Sequence, residues 1–176
     1  MIIVVALIGI LAGITVPLVQ NMTEAIIHGQ AQQLVESELQ QARLKAVSTN
    51  RVMRVRFNCP AAGQFRMVEL IGTPSTPAAQ DTAANRCSDT AYPYPAADHN
   101  VVTVPNQDGP LKRLDPKISF GAAPTIEFRP TGAAYSVNAN GTSGASLGTG
   151  TAITLTKGAV VKTVTVNGLG KVEGVQ

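Results

Sequence analysis

The stretch MIIVVALIGILAGITVPLV, residues 1–19, has no charged side chain, and the first charge in the chain is that of Glu24. About 23 helical residues at about 1.5 Å each give roughly 35 Å, enough to cross a hydrocarbon core of about 30 Å. The sequence therefore predicts a membrane-spanning helix over residues 1–22. A cleaved secretory signal fits less well, because such signals carry basic residues before the apolar run. The absence of a basic flank also removes the usual guide to orientation.

Three residues within this run are candidates for helix–helix packing. Gly9 and Gly13 have G-x-x-x-G spacing, which lets helix backbones approach closely inside a membrane, although glycine is common in membrane helices in any case. Pro17 removes one backbone hydrogen bond and crowds the preceding turn, so we expect a kink or a locally melted stretch near residues 13–17.

The helical pattern continues beyond the apolar run, from residue 24 to residue 50. Apolar residues recur there every three or four positions, with polar residues on the other faces. They are Ile27, Ala31, Leu34, Val35, Leu39, Ala42, Ala46 and Val47. This pattern predicts a helix packed on the sheet of its own domain rather than a free coiled coil, because a/d heptads are not sustained.

From residue 51 onward the sequence changes to short alternating runs of Val, Ile, Thr and Phe, which are typical of antiparallel strands and hairpins. The runs are residues 51–58, 64–71, 100–104, 125–129, 133–138, 151–157 and 159–167, with a clear turn after Thr156. The composition of residues 73–116 predicts a long insertion loop, and that of residues 138–150 predicts a second, exposed loop. The fold class is therefore α+β, with segments 1–22 (membrane half of the helix), 23–50 (amphipathic half) and 51–176 (β-rich domain).

Positive charge is modest, with a net charge of +3 at neutral pH and basic residues that are scattered along the chain. Arg54 and Arg56 are two residues apart and therefore share one face of a predicted strand, and Arg51 lies just before them. Without interleaved aromatic residues, this pattern favours a solvated face over a nucleic-acid patch.

Cys59 and Cys87 are the only cysteines. A membrane helix would hold the domain outside the cytoplasm, where disulfides form, so we expect these two residues to pair. A zinc site is the weaker alternative, because the cysteines, His28 and His99 lack paired ligand spacing.

The segment GASLG, residues 144–148, matches the G-x-S-x-G pattern of a nucleophile elbow. That elbow needs a preceding strand, a following helix and a later histidine, whereas here both histidines precede Ser146. Four acids in predicted loops, Asp81, Asp89, Asp98 and Asp108, follow no calcium-binding pattern and are expected to be solvated. We therefore predict no enzymatic activity, no metal and no cofactor.

Several segments together carry a family resemblance. VVALIGILAGITVP, residues 4–17, resembles the membrane helix of type IV pilins and type II secretion pseudopilins. ARLKAVSTNRVMRVRF (42–57), IEFRPTGAA (126–134) and VKTVTVNGLGKV (161–172) are similar to segments of the GspH/FimT group of minor pilins. The resemblance covers both ends of the chain and leaves residues 73–116 unmatched.

The resemblance implies a structural subunit of a type II secretion pseudopilus or a type IV pilus. Its helix would wait in the bacterial inner membrane, with the C-terminal domain in the periplasm. An inner-membrane assembly platform would then draw it into a filament beside other pilin subunits. Gly9, Gly13 and Pro17 are the residues that would serve helix packing and local melting.

Two features depart from the family pattern. A prepilin cleavage motif followed by Phe-Thr-Leu-x-Glu would be expected immediately before Met1, and it is absent from this sequence. DNA-uptake members end in a Gly-Arg-x-Arg motif, whereas this chain has Gly170-Lys171-Val172-Glu173, in which Glu173 would repel phosphate. The alternative function is a tip-located minor pilin that captures DNA or a surface ligand through Arg51, Arg54, Arg56 and Lys171.

Overall fold

The protein is described by a computed structural model that covers residues 2–95 and 107–175, with side chains from residue 25 onward. Its first element is a single helix, α1 (Ile2–Thr49), in which residues 13–17 are helical although the sequence predicts a kink or local melting there. Among the residues whose side chains are described, no helix is long and apolar enough to cross a membrane. The side chains of the span predicted for residues 1–22, and the strand predicted for residues 100–104, lie outside the described part.

A local capping motif ends α1 and turns the chain into the sheet. Asn50 adopts a left-handed conformation with φ of 54°, which asparagine tolerates better than most residues. The Arg51 N–H then donates to the Ala46 carbonyl at 3.2 Å, the bond expected of a Schellman-type helix end.

Ten short strands follow within the described residues, and they form two antiparallel sheets. The six-stranded sheet has the order β3-β2-β1-β5-β6-β7 and the four-stranded sheet the order β10-β9-β8-β4. The strands are β1 (Met53–Phe57), β2 (Gln64–Glu69), β3 (Lys112–Arg113), β4 (Ser119–Phe120), β5 (Ile126–Phe128), β6 (Ala134–Val137), β7 (Ser143–Ser146), β8 (Thr151–Lys157), β9 (Val160–Val166) and β10 (Val172–Val175). A single-turn helix, α2 (Ala79–Thr82), lies in the predicted insertion.

One hydrophobic core joins α1 to both sheets. The buried side of the helix consists of Ala31, Val35, Leu39, Ala42 and Ala46. These residues pack on strand residues of both sheets, including Met53, Val55, Ile126, Phe128, Ile153, Leu155, Val164 and Val166. The prediction that the helix packs on the sheet of its own domain is therefore confirmed.

Two of the sequence predictions about this region are wrong. Val47 was expected in the buried stripe but is 51% exposed, because residues at three-and-four spacing can belong to either side of the stripe. Residues 143–146 were expected in an exposed loop but form β7, paired with β6 through Tyr135 and Val137. Backbone pairing with a neighbouring strand places this Gly- and Ser-rich segment in the sheet, although its composition carries no strand signal.

Candidate assembly surface

The outward side of α1 is an uncharged stripe. It is formed by Ile26, Gln30, Gln33, Ser37, Gln40 and Leu44, which are spaced by four and three residues and therefore share one face of the helix. Ile26 is 56% exposed and Leu44 is 69% exposed. The helix thus presents apolar and amide side chains to its surroundings where a solvated helix usually presents charges.

The charged residues in the described half of α1 lie away from this stripe. Glu38 is buried and accepts the Met67 N–H at 3.3 Å, and this burial raises the pKa of its carboxyl despite nearby Lys112. Arg43 donates to the carbonyls of Gly132 and Leu169 at 3.2 and 3.1 Å. Glu36 and Lys45 are half-buried. The domain therefore holds the charges of the helix, which leaves the outward stripe uncharged.

The three assembly residues predicted from the sequence lie in the membrane half of α1. Gly9, Gly13 and Pro17 fall within the helical backbone, but their packing lies outside the described side chains. Their proposed roles are taken up below.

The predicted disulfide is present. Cys59 and Cys87 are bonded, with their Cα atoms 5.6 Å apart, and both residues are buried. The bond joins the end of β1 to the segment that follows α2. His28, which the zinc alternative would require, is buried on α1 and donates from Nε2 to the Leu155 carbonyl at 3.1 Å, while His99 lies outside the described residues.

Arg54 does not lie on a solvated face, so that expectation is wrong. Its guanidinium is buried and donates from Nε and Nη2 to Glu127 Oε2 at 3.0 and 2.8 Å. The reason is topological: β1 is an inner strand between β2 and β5, and the register places Glu127 of β5 directly opposite Arg54. The Ser143 hydroxyl and the Arg129 guanidinium also donate to Glu127.

The other predicted polyanion contacts occupy different parts of the surface. Arg56 is half-buried and donates from Nη1 to the Asp81 and Ala83 carbonyls, each at 3.2 Å, and burial together with neighbouring arginines lowers its pKa. Arg51 is exposed and lies 3.4 Å from Glu69. Lys171 is exposed and pairs with Glu173. Arg54 and Arg56 line one cavity, but each of the four cations already has a carboxylate or carbonyl partner within the protein.

A buried ionic cluster, which sequence reasoning missed, stabilises the base of the predicted insertion. Arg86 is fully buried and makes a bidentate pair with Asp108. Its Nη2 also donates to the Glu69 carbonyl at 2.8 Å, and its guanidinium stacks over Tyr92 at 4.4 Å. Arg86 and Asp108 are 22 residues apart, and both lie in segments that resemble loops. No local sequence pattern therefore indicates that they pair.

Two of the loop acids that were expected to be solvated are buried. Asp81 accepts the N–H groups of Ile71, Gly72 and Ala78 at 2.8 to 2.9 Å, and Asp108 accepts the Glu69 N–H at 2.7 Å. Both carboxylates accept hydrogen bonds from backbone N–H groups that water would otherwise satisfy. The composition of the segment does not reveal such partners. Asp89 is exposed beside Arg66, and Asp98 lies outside the described residues.

Ser146 lies in a context different from a nucleophile elbow. It is exposed at the end of β7 and is followed by a turn at Leu147 to Gly150 instead of a helix. The strand–turn–helix geometry that would aim a serine at a substrate is therefore missing at this position.

The fold described here, a long N-terminal helix packed on antiparallel sheets, is that of the pilins. Two crystal structures of the type IV minor pilin FimU from Pseudomonas aeruginosa resemble it. One has a TM-score of 0.51 at 11% identity, covering 88% of this chain and 92% of that chain. The other has a TM-score of 0.48 at 10% identity, covering 84% and 92%. At this low identity the first likeness shows the fold alone.

The family follows from the sequence. The family described as "Type II transport protein GspH" matches residues 30–170, and the chain belongs to it. No curated protein sequence matches the chain significantly. Family and fold confirm the resemblance to the GspH/FimT group and support a minor pilin or pseudopilin role.

Proposed function

We propose that this chain is a structural minor pilin or pseudopilin that enters a filament through α1. The observation that carries the proposal is the uncharged outward stripe of α1, which continues the uncharged run of residues 1–22. A helix that packs among others must bury its outward face, and a buried unpaired charge opposes that burial strongly. Glutamine and serine can hydrogen-bond across a helix interface, as polar side chains do between membrane helices.

The exposed apolar residues of the stripe give packing a driving force. Fully burying an aliphatic side chain contributes about 1.5–3 kcal/mol, so covering the exposed parts of Ile26 and Leu44 would contribute roughly 1–2 kcal/mol each. The domain covers less than half of either residue in the structure. Other pilin or pseudopilin subunits are the partners that this face suits.

The location follows from the same proposal. Residues 1–22 would anchor the chain in the bacterial inner membrane, with the domain in the periplasm until an assembly platform draws the helix into the filament. The disulfide between Cys59 and Cys87 supports this location, because such bonds persist in oxidising compartments.

A charge on the stripe tests the proposal. Leu44→Glu, made in the complete gene with its native leader, would place an unpaired carboxylate in the helix interface, so we expect reduced incorporation into filaments. The measurement is the fraction of the protein in sheared or purified filaments, with total expression quantified in parallel.

Leu169→Glu is the matched control. Leu169 is 78% exposed in the turn between β9 and β10, where its carbonyl accepts from Arg43 on a different side of α1 from the stripe. This variant should assemble like the parent. If Leu44→Glu assembles equally well, the stripe is only a solvent-facing surface and the proposal fails.

The alternative, a tip-located minor pilin that captures DNA or a surface ligand, has weaker support. Of the four candidate cations, Arg54 is committed to Glu127 inside the sheet and Arg56 is held by backbone carbonyls. Arg51 and Lys171 are exposed, but each lies beside a carboxylate.

A further inference from the structure

The hairpin of β8 and β9 has an apolar, exposed tip. Val160 is 58% exposed and Val161 is 52% exposed, next to exposed Gly158 and Ala159. Lys157 and Lys162 flank the tip on the two strands. Val160 and Val161 are consecutive residues of β9 and lie outside the hydrophobic core. Their exposure therefore suggests contact with something outside the domain.

The position of the hairpin along α1 is set by three contacts. His28 donates to the Leu155 carbonyl at 3.1 Å, and the Lys162 Nζ lies 3.9 Å from where a Cβ on Gly29 would stand. At the other end of β9, Arg43 donates to the Leu169 carbonyl at 3.1 Å. Strand β9 therefore runs in the same direction as α1, and the tip points toward the N-terminus of the helix.

A further contact gives the same order along the two elements. Gln32 donates from Nε2 to the Thr163 carbonyl at 3.3 Å, so the step from Lys162 to Thr163 along β9 corresponds to a step from Gly29 toward Gln32 along α1. Strand β9 ends at Val166, before the turn that contains Leu169. Levels near the tip are therefore estimated from the contacts at His28, Gly29 and Gln32.

The tip then lies level with the end of the membrane segment. Residues 159 and 160 extend about 7–10 Å beyond Lys162, which on α1 is about 4–7 residues before Gly29. That level corresponds to residues 22–25, where the apolar run ends and Glu24 brings the first charge. Lys117 lies at the same end, because Ser119, two residues later, pairs with Thr156 of β8; Asp115 offsets one of these charges.

We propose that the tip of the β8–β9 hairpin contacts the bilayer surface, with Val160 and Val161 in the interfacial layer and Lys162 facing anionic lipid headgroups. This inference rests on the proposed function, because it requires a subunit anchored by residues 1–22. Apolar residues beside lysines are the composition that suits an anionic membrane interface. A second contact beside the helix would hold the domain at one tilt before assembly.

A tryptophan at the tip tests the contact, because the chain contains no tryptophan. Full-length Val160→Trp is reconstituted at low protein-to-lipid ratio in phosphatidylcholine–phosphatidylglycerol vesicles, with or without brominated acyl chains. An interfacial residue lies within about 5–10 Å of the acyl boundary. We therefore expect a blue-shifted emission that brominated lipid quenches.

Leu169→Trp is the control, because Leu169 is exposed at the opposite end of β9, and its emission should stay unchanged with brominated lipid. Adding Lys162→Glu to Val160→Trp should weaken quenching in anionic vesicles and leave it unchanged in neutral ones. Ala159→Trp serves as a second probe should Val160→Trp fold poorly.

Each outcome has one reading. Tip emission that is quenched no more than that of Leu169→Trp overturns the proposal, and a blue shift without quenching overturns it by indicating contact between protein copies. Flotation of the vesicles is measured separately. A chain that floats without quenching contradicts the tip contact alone, whereas a chain that fails to float contradicts the anchoring as well.

Discussion

Glu127 shows how one residue organises the interior of the six-stranded sheet. It is fully buried and accepts hydrogen bonds from Arg54, Arg129 and Ser143, which come from three different segments. Arg129 in turn stacks over Tyr135 at 3.7 Å. Because the Arg54 guanidinium is also buried, Glu127 supplies the charge that makes its burial tolerable.

Glu127→Gln should destabilise the protein strongly. The substitution keeps the shape of the side chain but leaves the Arg54 charge without a counter-charge, and removing one partner of a buried pair costs about 3–5 kcal/mol. Urea unfolding of the purified chain measures the effect.

Glu173→Gln provides the comparison, because Glu173 is exposed and pairs with exposed Lys171. Exposed pairs contribute about 0–1 kcal/mol, so this variant should unfold close to the parent. Equal effects of the two substitutions would show that burial adds nothing to the Glu127 interaction.

At the scale of elements, α1 has one face that packs on the domain and one face that is exposed. Its buried side, including Val35 and Leu39, belongs to the domain, while its outward stripe, including Gln33 and Leu44, is largely exposed. The membrane half continues the same helix from Ile2. A helix of this kind can anchor a subunit and later pack against other subunits without refolding the domain.

Gly9→Leu tests whether the membrane half takes part in packing. A leucine at a G-x-x-x-G position would hold neighbouring backbones apart, so we expect a protein that is expressed and membrane-inserted but incorporates poorly into filaments. The measurement compares membrane and filament fractions, made in the complete gene with its native leader.

Gly9→Ala adds only a methyl group and should behave nearly like the parent. If Gly9→Leu assembles and supports filament-dependent secretion or uptake as the parent does, the membrane half is an anchor and no packing element.

At the scale of the whole molecule, charge is distributed without a dominant patch. The net charge is +3. Several arginines form ion pairs inside the protein, including Arg54 with Glu127 and Arg86 with Asp108. The surface that remains does not concentrate cations in the way that phosphate-backbone recognition requires.

A salt series on DNA binding distinguishes the structural role from a DNA-capturing one. Each phosphate contact contributes a slope of about −0.9 in log affinity against log salt on duplex DNA. For a structural subunit we expect no measurable binding at moderate salt. A steep salt-dependent affinity that Arg51→Ala and Lys171→Ala reduce would favour the DNA-capturing role instead.

Local patterns in the sequence were sufficient for much of the fold. The helix, its buried stripe through Ala46, and strands β1, β2, β5, β6, β8 and β9 follow from periods of 3.6 and two residues, which depend only on neighbouring positions. Strands β3, β4, β7 and β10 were not predicted. Two of them have only two residues, and all four are held by backbone pairing with a neighbouring strand.

The sequence by itself determined the class of protein, the apolar segment expected to enter a membrane, and the pairing of Cys59 with Cys87. Each depends on composition or on a compartment, neither of which needs distant contacts. Only the tertiary structure decided that Arg54 faces Glu127 and that Asp108 is buried with Arg86. These contacts are between residues far apart in the chain. Strand register and packing bring them together, and a local sequence pattern carries no information about either.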